Sequence, residues 1–543
     1  MDSETGSAGT RCGEVWTHCC KQPEVPLVSA SAAIQNCGLL GESQKKALRR
    51  KLLTVAPRGW HPTRLPTFAP CRQALIAWTA VAVRGILFSV VHVSMAATIL
   101  ASTGHTQESA EQKNMILVGH SDLGGHGDGG EGLAIQQRSD GRRILYVAHE
   151  SEKTCLSIVD VTHPEAPALL NQLPSPGLDV TRCNSLGLSG NLLAVADQTM
   201  KVGQAPAGMW VLDVSDLGRI QKARSMQDLA LSFFDTSGPN SRGVHWLWFV
   251  DGEFAHLSSG TGDSDPSNPK DDQFYVVVDL RDPRHPREVG RWWLPGTQKK
   301  DDCLPGCLPK RHPIDDGYRA HNMQVYPDRQ DRAYVGYMDG GQIILDISGL
   351  AEVRAGRAKS FSPRPVSRLQ FSPPYPAWTH TVQPLFGRGL ATVSDEAVRE
   401  NCGDAPKLVW LVDIREETNP VIIGTAPLPE NAGDFCARGG RFGAHNLHPN
   451  FPSSTSAKLK NTFVGSFFNA GVRIYRLVDV PVPNAPPQIK EIGFFVPPPP
   501  PGNPTHTIQI NHAIVDEKGL IYATDRISGG IYILKYTGPE PLD

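Results

Sequence analysis

Histidines recur at one position of a repeating unit, and this recurrence is the feature of the sequence most able to do chemistry. Five of them stand at the start of a strand-like run: His245, His321, His380, His445 and His512. In two further repeats the same position holds Glu131 and Asn184. Imidazole nitrogens and carboxylate oxygens are common ligands of transition-metal ions. Residues roughly 60 positions apart can share one ion only if a repeating fold returns the chain to the same place.

A second recurring pattern identifies that fold. Two apolar residues followed by Asp end one strand-like run in each repeat, at Asp160, Asp213, Asp279, Asp346 and Asp413, and decayed copies lie at 474–476 and 533–535. Short runs with period-2 alternation, separated by Gly, Pro and Asp, indicate about four antiparallel strands per repeat. The sequence therefore predicts an all-β, seven-bladed β-propeller of four-stranded antiparallel blades. The repeated Asp is predicted to accept N–H groups of the turn that follows it.

The ends of the repeat region predict how the ring closes. The last repeat stops at 536–537 after its third strand, whereas 114–118 precedes the first repeat without partners of its own. An N-terminal strand in the last blade would close the ring and cover two exposed sheet edges. The alternative is that 114–118 is only a linker strand.

A closed ring gives the histidine position a geometric meaning. The first strand of each blade lines the central channel, so equivalent residues of successive blades surround the axis at one height. We predict that the five histidines bind a divalent transition metal (iron, copper, zinc or manganese), with Glu131 as a further ligand or as a catalytic base. There are two alternatives: a polar position that each blade uses to hydrogen-bond its neighbour, and direct contact with a substrate without a metal.

Polar residues of the second strands form a further candidate ring. They are His149, Asp197, Tyr337, Asp395 and Asp525, with Glu150 and Glu396 beside them. Near the same mouth, such groups would orient the imidazoles or act as acid and base groups.

Composition restricts the function classes. The 543 residues are 40% hydrophobic and 20% charged, with a net charge of −2, which is typical of a globular protein. Because there is no basic excess, no nucleic acid partner is expected. The sequence contains neither a G-x-S-x-G nucleophile elbow nor a P-loop, so it offers no motif for either of those chemistries.

The segment before the repeats predicts export. From 75 to 101 the chain is nearly all apolar, interrupted by Arg84, and many Lys and Arg residues precede it. We predict an N-terminal extension at 1–74, a signal-peptide-like or membrane-anchor segment at 75–104, and the propeller at 112–543. The propeller would then be periplasmic, extracellular, or held outside the cell by a membrane anchor at 75–101. The alternative is a buried helix in a cytosolic protein.

Cysteines point to the same compartment. Six follow the apolar segment: Cys155, Cys183, Cys303, Cys307, Cys402 and Cys436. An even number after an export signal favours structural disulfides, and Cys303 and Cys307 are close enough in sequence to bond across a turn. The alternative for this C-x-x-x-C pair is half of a zinc site, for which no second half is evident.

The repeat resembles a known family. The run 156–161, with Pro164 and Pro167 after it, resembles the LVIVD repeat of exported and cell-surface bacterial proteins, and so do the later copies that end in Asp. The resemblance covers 114–536 and implies an exported β-propeller without a specific chemistry. In architecture alone, the predicted protein is similar to carotenoid-cleaving oxygenases, whose axial iron is held by four histidines, and to the methanethiol oxidase (selenium-binding) family.

The fold and the histidines favour one function and leave a second open. The first is an exported metal-dependent oxidoreductase acting on a small, apolar organic substrate, with Trp246 and Trp378 as walls of the mouth. The alternative is a non-catalytic protein- or ligand-binding propeller scaffold at the cell surface. Its partner would bind the loops of an end face, at 260–272, 298–314 and 450–461.

Overall fold

The computed structural model describes residues 109–543, except 152, 178, 303–306, 309–310, 372–375 and 431. The predicted extension at 1–74 and the apolar segment at 75–104 lie outside the described residues. Within the described part, no helix is long and apolar enough to cross a membrane.

Short antiparallel strands make up most of the described chain. The first are β1 (Glu111–Lys113) and β2 (Met115–Ser121). The first blade contains β3 (Gly129–Gln137), β4 (Arg143–His149), β5 (Thr154–Asp160) and β6 (Ala168–Pro174). The second contains β7 (Thr181–Arg182), β8 (Leu186–Ser189), β9 (Leu192–Thr199), β10 (Gly208–Asp213) and β11 (Ala230–Asp235), with β7 and β8 both paired to β9. The third contains β12 (Val244–Trp248), β13 (Phe254–Ser259), β14 (Phe274–Asp279) and β15 (Arg287–Trp292).

The remaining four blades repeat this order. The fourth contains β16 (Met323–Tyr326), β17 (Arg329–Tyr337), β18 (Gly341–Asp346) and β19 (Arg364–Leu369). The fifth contains β20 (Thr379–Leu385), β21 (Leu390–Asp395), β22 (Val409–Asp413) and β23 (Val421–Thr425). The sixth contains β24 (Thr462–Ser466), β25 (Val472–Val478) and β26 (Gln488–Val496), and the seventh β27 (Ile510–Val515), β28 (Leu520–Asp525) and β29 (Ile531–Tyr536). The innermost segment of the sixth blade is an irregular run in which Leu447 bridges Gly465. The predicted seven-bladed propeller is confirmed.

Helices occupy only the connections. They are α1 (Leu217–Lys222), α2 (Leu350–Arg354) and α3 (Ala432–Arg438), with 3-10 turns at Leu123–Gly125, Met226–Asp228 and Phe386–Arg388. The Asp216 carboxylate caps α1 by accepting the N–H groups of Gly218 and Arg219.

The repeated Asp builds the turn after the third strand in five of the seven blades, as predicted. Its carboxylate accepts a hydrogen bond from the backbone N–H of the residue two positions on. The N–H of Thr162 donates to Asp160 at 2.9 Å, that of Ser215 to Asp213 at 3.0 Å, that of Arg281 to Asp279 at 3.1 Å, that of Ser348 to Asp346 at 2.9 Å and that of Arg415 to Asp413 at 3.0 Å. An Asp side chain that bonds the backbone two residues on favours a turn over a continuing strand. The pattern that defines the repeat is therefore a strand terminator.

The start of the described chain closes the ring. Strand β2 pairs with β29, with Met115 opposite Tyr536 and Ser121 opposite Ile531, so it is the fourth strand of the last blade. This confirms the predicted N-terminal closing strand. Strand β1 was not predicted, and it pairs with β26 of the sixth blade. One short stretch of chain thus joins two neighbouring blades and covers an edge of each.

Two disulfides lie between successive blades. Cys155 of β5 bonds Cys183 at the entry to the second blade, and Cys402 after β21 bonds Cys436 in α3. Cys307 is also disulfide-bonded, while its predicted partner Cys303 lies outside the described residues. The prediction of structural disulfides is confirmed for the described pairs.

A loop from the sixth blade crosses one end of the axial channel. Tyr326 of the fourth blade donates a hydrogen bond to Pro449 O at 2.7 Å, and Phe451 stacks on Trp248 of the third blade with ring centroids 5.1 Å apart. Thr455 donates to Ile135 O of the first blade at 3.0 Å. The loop at 450–461, predicted as a contact surface for a partner, therefore folds over the axis and closes this end.

His448 holds that loop in place. Its Nε2 donates to Ala457 O at 3.1 Å, and its Nδ1 accepts the N–H of Val515 at 3.1 Å. Burial lowers the pKa of this imidazole to about 3, because a charged ring would lose its water. The side chain is therefore neutral and part of the fold.

We expect Met115→Ala to lower the free energy of unfolding by about 2 to 5 kcal/mol, because the side chain is 1% exposed within the core shared by the fifth, sixth and seventh blades. Ile116→Ala on the same strand is the matched control, since that side chain is 44% exposed. A denaturant titration of both variants checks this. Equal losses would contradict the closing role of β2.

We expect His448 to make the protein less stable as the pH falls. An unfolded histidine takes up its proton near pH 6.5, whereas folded His448 resists until about pH 3, so stability is full above pH 6.5 and declines below it. His448→Gln should flatten that decline between pH 6.5 and 4 by up to about 1.4 kcal/mol per pH unit. His163→Gln, at a side chain 79% exposed, should leave the slope unchanged in the same denaturant titrations.

Candidate metal centre at the propeller axis

Four of the predicted histidines meet at the axis as a continuous arc. Ring centroids are 4.5 Å apart between His245 and His321, 3.9 Å between His321 and His380, and 4.3 Å between His380 and His445. These residues come from the third to the sixth blades in order. All four are buried.

Glu131 of the first blade faces the arc from across the channel. Its Oε2 lies 3.3 Å from Nε2 of His380, and its Oε1 lies 3.6 Å from Nε2 of His245 and 3.9 Å from Nε2 of His445. Two sets of three donor atoms lie within 4.8 Å of one another: Glu131 with His321 and His380, and His380 with Glu396 and His445. The structure thus brings together donors from five blades and one second-strand neighbour.

A β-bulge turns two of these side chains, His245 and His380, to the axis. The register between the first and second strands shifts between Val244 and Trp246, and again between Thr379 and Thr381. The residue inside each bulge, His245 or His380, is left out of the ladder. The bulge therefore converts one repeat position into an inward-facing ligand position.

His512 does not occupy this position, and here the sequence alignment of the blades was wrong by one residue. In the seventh blade the bulge falls between Ile510 and His512, so Asn511 is the equivalent residue. His512 instead contacts the backbone oxygen of Glu131 through Nδ1. Its imidazole lines a cavity of about 10 Å³ on the side closed by Phe451, which has room for about one water molecule.

Hydrogen bonds fix the tautomers of three imidazoles. Nδ1 of His245 donates to Gln198 Oε1 at 2.9 Å, Nδ1 of His321 to Asn322 Oδ1 at 2.8 Å, and Nδ1 of His445 to Asn511 O at 2.7 Å. Each partner atom is an acceptor: Gln198 Oε1 also accepts from the guanidinium of Arg182, while the Asn322 amide nitrogen donates to Thr381 and Asn446. The proton therefore resides on Nδ1, and the Nε2 lone pair points into the cluster.

These lone pairs have no donor to meet. Nε2 of His245 and Nε2 of His321 are only 2.9 Å apart, although neither carries a proton in this tautomer. Nε2 of His445 is buried without a hydrogen-bond partner in the described part of the chain, whereas Nε2 of His380 lies 3.3 Å from Oε2 of Glu131. Facing lone pairs repel unless a cation or a shared proton lies among them.

Burial disfavours the charged form of three of the imidazoles. It lowers the pKa of His321 to about 4, and it holds the pKa values of His245 and His445 well below the usual range, with repulsion from a neighbouring imidazole as the next cause. Neutral imidazole is the form that binds metal ions.

Glu131 supplies a negative charge to the cluster. Burial raises the pKa of its carboxyl group, but the surrounding imidazoles, His380 foremost, outweigh this and hold it well below its usual value. The carboxylate also accepts hydrogen bonds from Asn184 at 2.9 Å and Asn446 at 3.2 Å. Imidazoles and an ionised carboxylate form a donor set that suits iron, copper, zinc or manganese.

The second predicted ring is wrong for five of its seven members. Asp197 accepts the indole N–H of Trp210 at 2.9 Å, Asp395 that of Trp410 at 3.0 Å, and Asp525 turn N–H groups; His149 binds Asp128, and the Tyr337 hydroxyl accepts the Leu294 N–H. These side chains serve the blades. Of the seven, only Glu150 and Glu396 lie at the mouth of the axial channel. Each directly follows a predicted residue, His149 or Asp395, and successive side chains of a strand point to opposite faces.

Glu396 is the second carboxylate of the cluster. Its oxygens lie 3.7 Å from Nε2 of His321 and 4.0 Å from Nε2 of His445, and Arg441 donates to it at 3.1 Å. Burial raises the pKa of Glu396, but the imidazoles and Arg441 outweigh it and lower the pKa to about 2. Glu396 is therefore a further ligand candidate.

Phe468, rather than the predicted tryptophans, forms the aromatic wall. It stacks on His445 with ring centroids 4.5 Å apart. Trp246 lines the closed side and stacks on Trp248, while Trp378 packs under the ammonium group of Lys407. Phe468 lies in a turn with φ of 45°, and no sequence pattern marks that position.

Comparisons with known proteins do not identify a family for this chain. No protein-family model matches the chain, and no curated protein is similar enough to match it. Among solved structures, the β-propeller domain of Cps50 (Swd1) from Myceliophteria thermophila is similar with a TM-score of 0.43 and 13% identity, over 78% of this chain and 99% of that chain. A likeness this distant carries no argument about the site.

Proposed function

We propose that the protein is a metal-dependent oxidoreductase acting on a small organic substrate. A divalent transition metal would be held by His245, His321, His380 and His445, with Glu131 as a further ligand or as the catalytic base. The observation that carries this proposal is the convergence of buried Nε2 lone pairs whose tautomers are set from behind by Nδ1 hydrogen bonds. A repeat position that only joined blades would leave none of its buried imidazole nitrogens without a partner, unlike Nε2 of His445.

The residues around the cluster support an enzyme site. Iron, copper or manganese would supply one-electron chemistry or polarise a bound substrate. Glu131, ionised and buried, is placed to accept a proton from a substrate atom within the cluster. Phe468 and the closed end of the channel exclude water from one side of the site.

We also propose that the propeller is exported, to the periplasm, the cell surface or the medium. The support is the two described disulfides, Cys155–Cys183 and Cys402–Cys436, because such bonds persist in oxidising compartments. The Asp turns of the repeat support membership of the LVIVD-repeat propellers.

We expect the double variant His321→Ala/His445→Ala to lose metal uptake while keeping its fold, because it removes donors from both overlapping ligand sets. Inductively coupled plasma mass spectrometry gives the metal content, and circular dichroism checks the fold. The control is His163→Ala/His285→Ala, at side chains 79% and 80% exposed.

Two outcomes would overturn the proposal. Full metal content in the His321→Ala/His445→Ala protein would remove the site. Zinc as the sole bound metal of the native protein would retain the site and reject an oxidoreductase in which the metal itself carries electrons, since zinc has no redox chemistry.

We expect Glu131→Gln to weaken metal binding about tenfold or more, because the amide keeps the size of the side chain and removes its charge. Competition with a chromogenic chelator measures the change. Glu165→Gln, at a surface side chain 64% exposed, is the matched control. Unchanged affinity would exclude Glu131 as a ligand.

A further inference from the structure

Guanidinium groups outnumber carboxylates at the open mouth of the channel. Four arginines surround it, with side chains 16% to 23% exposed: Arg182, Arg319, Arg441 and Arg526. Two carboxylates, Glu150 and Glu396, lie among them. A further pair at the rim, Arg242 and Asp272, cancels itself. The mouth above the histidines therefore carries an excess of about two positive charges.

Chain direction places these arginines opposite the closing loop. Arg319 precedes His321, and Arg441 precedes His445, by two and four residues along the inner segments of their blades. The contacts with the closing loop come after the histidine position, at Trp248 and Tyr326. Strands of this length run from one end of the channel to the other. The arginines and the loop therefore lie at opposite ends.

The guanidiniums are also close to the cluster. Nη2 of Arg182 lies 3.4 Å from Nδ1 of His245, and Arg441 binds Glu396, which faces the imidazoles. Arg441 and Arg526 both lie over the Phe468 ring, 5.5 Å and 5.8 Å from its centroid. That ring in turn stacks on His445. An anion held by these groups would lie next to the proposed metal.

Two of the four arginines have unused donors. Arg526 makes no side-chain hydrogen bond to any described residue, and its ion pair with Glu150, at 3.4 Å, is shared with Arg182. Nε of Arg319 is buried without a partner in the described chain, and the carboxylate oxygen paired with this guanidinium, Asp272 Oδ1, lies 4.0 Å from its Nη1. A partly buried guanidinium with unused donors is costly unless an acceptor binds it.

We infer that the mouth binds the acidic group of a small organic anion at the arginines beside the histidine cluster, with Arg319 and Arg526 as the candidates for its hydrogen bonds. A carboxylate, sulfonate or phosphate matches the planar fork of a guanidinium with two hydrogen bonds. This inference deepens the proposed function, on which it rests, by naming an anion as the substrate class. It replaces the apolar substrate suggested by the sequence, whose tryptophan walls lie elsewhere.

Fluorine NMR of the full chain tests the inference with a charged and a neutral probe of the same shape. The fluorine signal of trifluoroacetate should broaden on binding, and the effect should saturate in a titration. The signal of trifluoroacetamide should not broaden. Arg319→Gln and Arg526→Gln should each weaken trifluoroacetate binding by at least about tenfold, because a hydrogen bond to a charged group is lost. Arg526→Lys, which keeps the charge, should lie between. Arg357→Gln, at a side chain 65% exposed, is the control.

Running the titration with metal-free and metal-loaded protein separates the two proposals. Arginine-dependent trifluoroacetate binding in a protein that takes up no metal supports the anion site and rejects the metal centre. Stoichiometric metal with probe binding that ignores both arginine substitutions, or equal binding of both probes, overturns the anion site. Acetate, methanesulfonate and methylphosphonate then compete with bound trifluoroacetate, and the one that displaces it at the lowest concentration identifies the acidic group. If none of them displaces it, the inference is overturned.

Discussion

Closure of the ring is the constraint on which the rest of the structure depends. Seven twisted sheets share one axis only if the last is joined to the first, and β2 makes that joint with β29. The joint leaves each inner strand one position at a common height, so donors separated by dozens of residues become neighbours. Without this geometry, Glu131 of the first blade and His445 of the sixth would not lie in the same cluster.

The tautomers of the clustered imidazoles are set by the hydrogen-bond acceptors of their Nδ1 atoms. A carbonyl of Asn511 and the amide oxygens of Gln198 and Asn322 set where the imidazole protons reside. The Asn322 amide is itself held by Thr381 and Asn446. Inner strands of adjacent blades therefore share one polar network, and a change in any member would disturb tautomers two blades away.

The sequence predicts the blade count, the closing strand and four of the histidines, since each depends on a pattern that recurs. It fails where a single residue breaks the pattern. The bulge at Asn511 shifts His512 out of place, and nothing local marks it. Asp197 and Asp395 share a phase with the mouth yet bind indoles of their own blades, because strand alternation turns them away from the axis. Phe468 lies in a turn, and the arginines of the mouth come from four different blades, so their meeting depends on the assembled ring.

The loop held by His448 and Phe451 makes the axial channel a blind pocket rather than a tunnel. Whatever reaches the cluster must leave by the same opening. Under the proposed function, arrival of a second molecule would wait for departure of the first, and a product that kept its acidic group would occupy the same arginines as its precursor. Such a pocket favours competitive inhibition by product, with release rather than entry controlling how fast the site is freed.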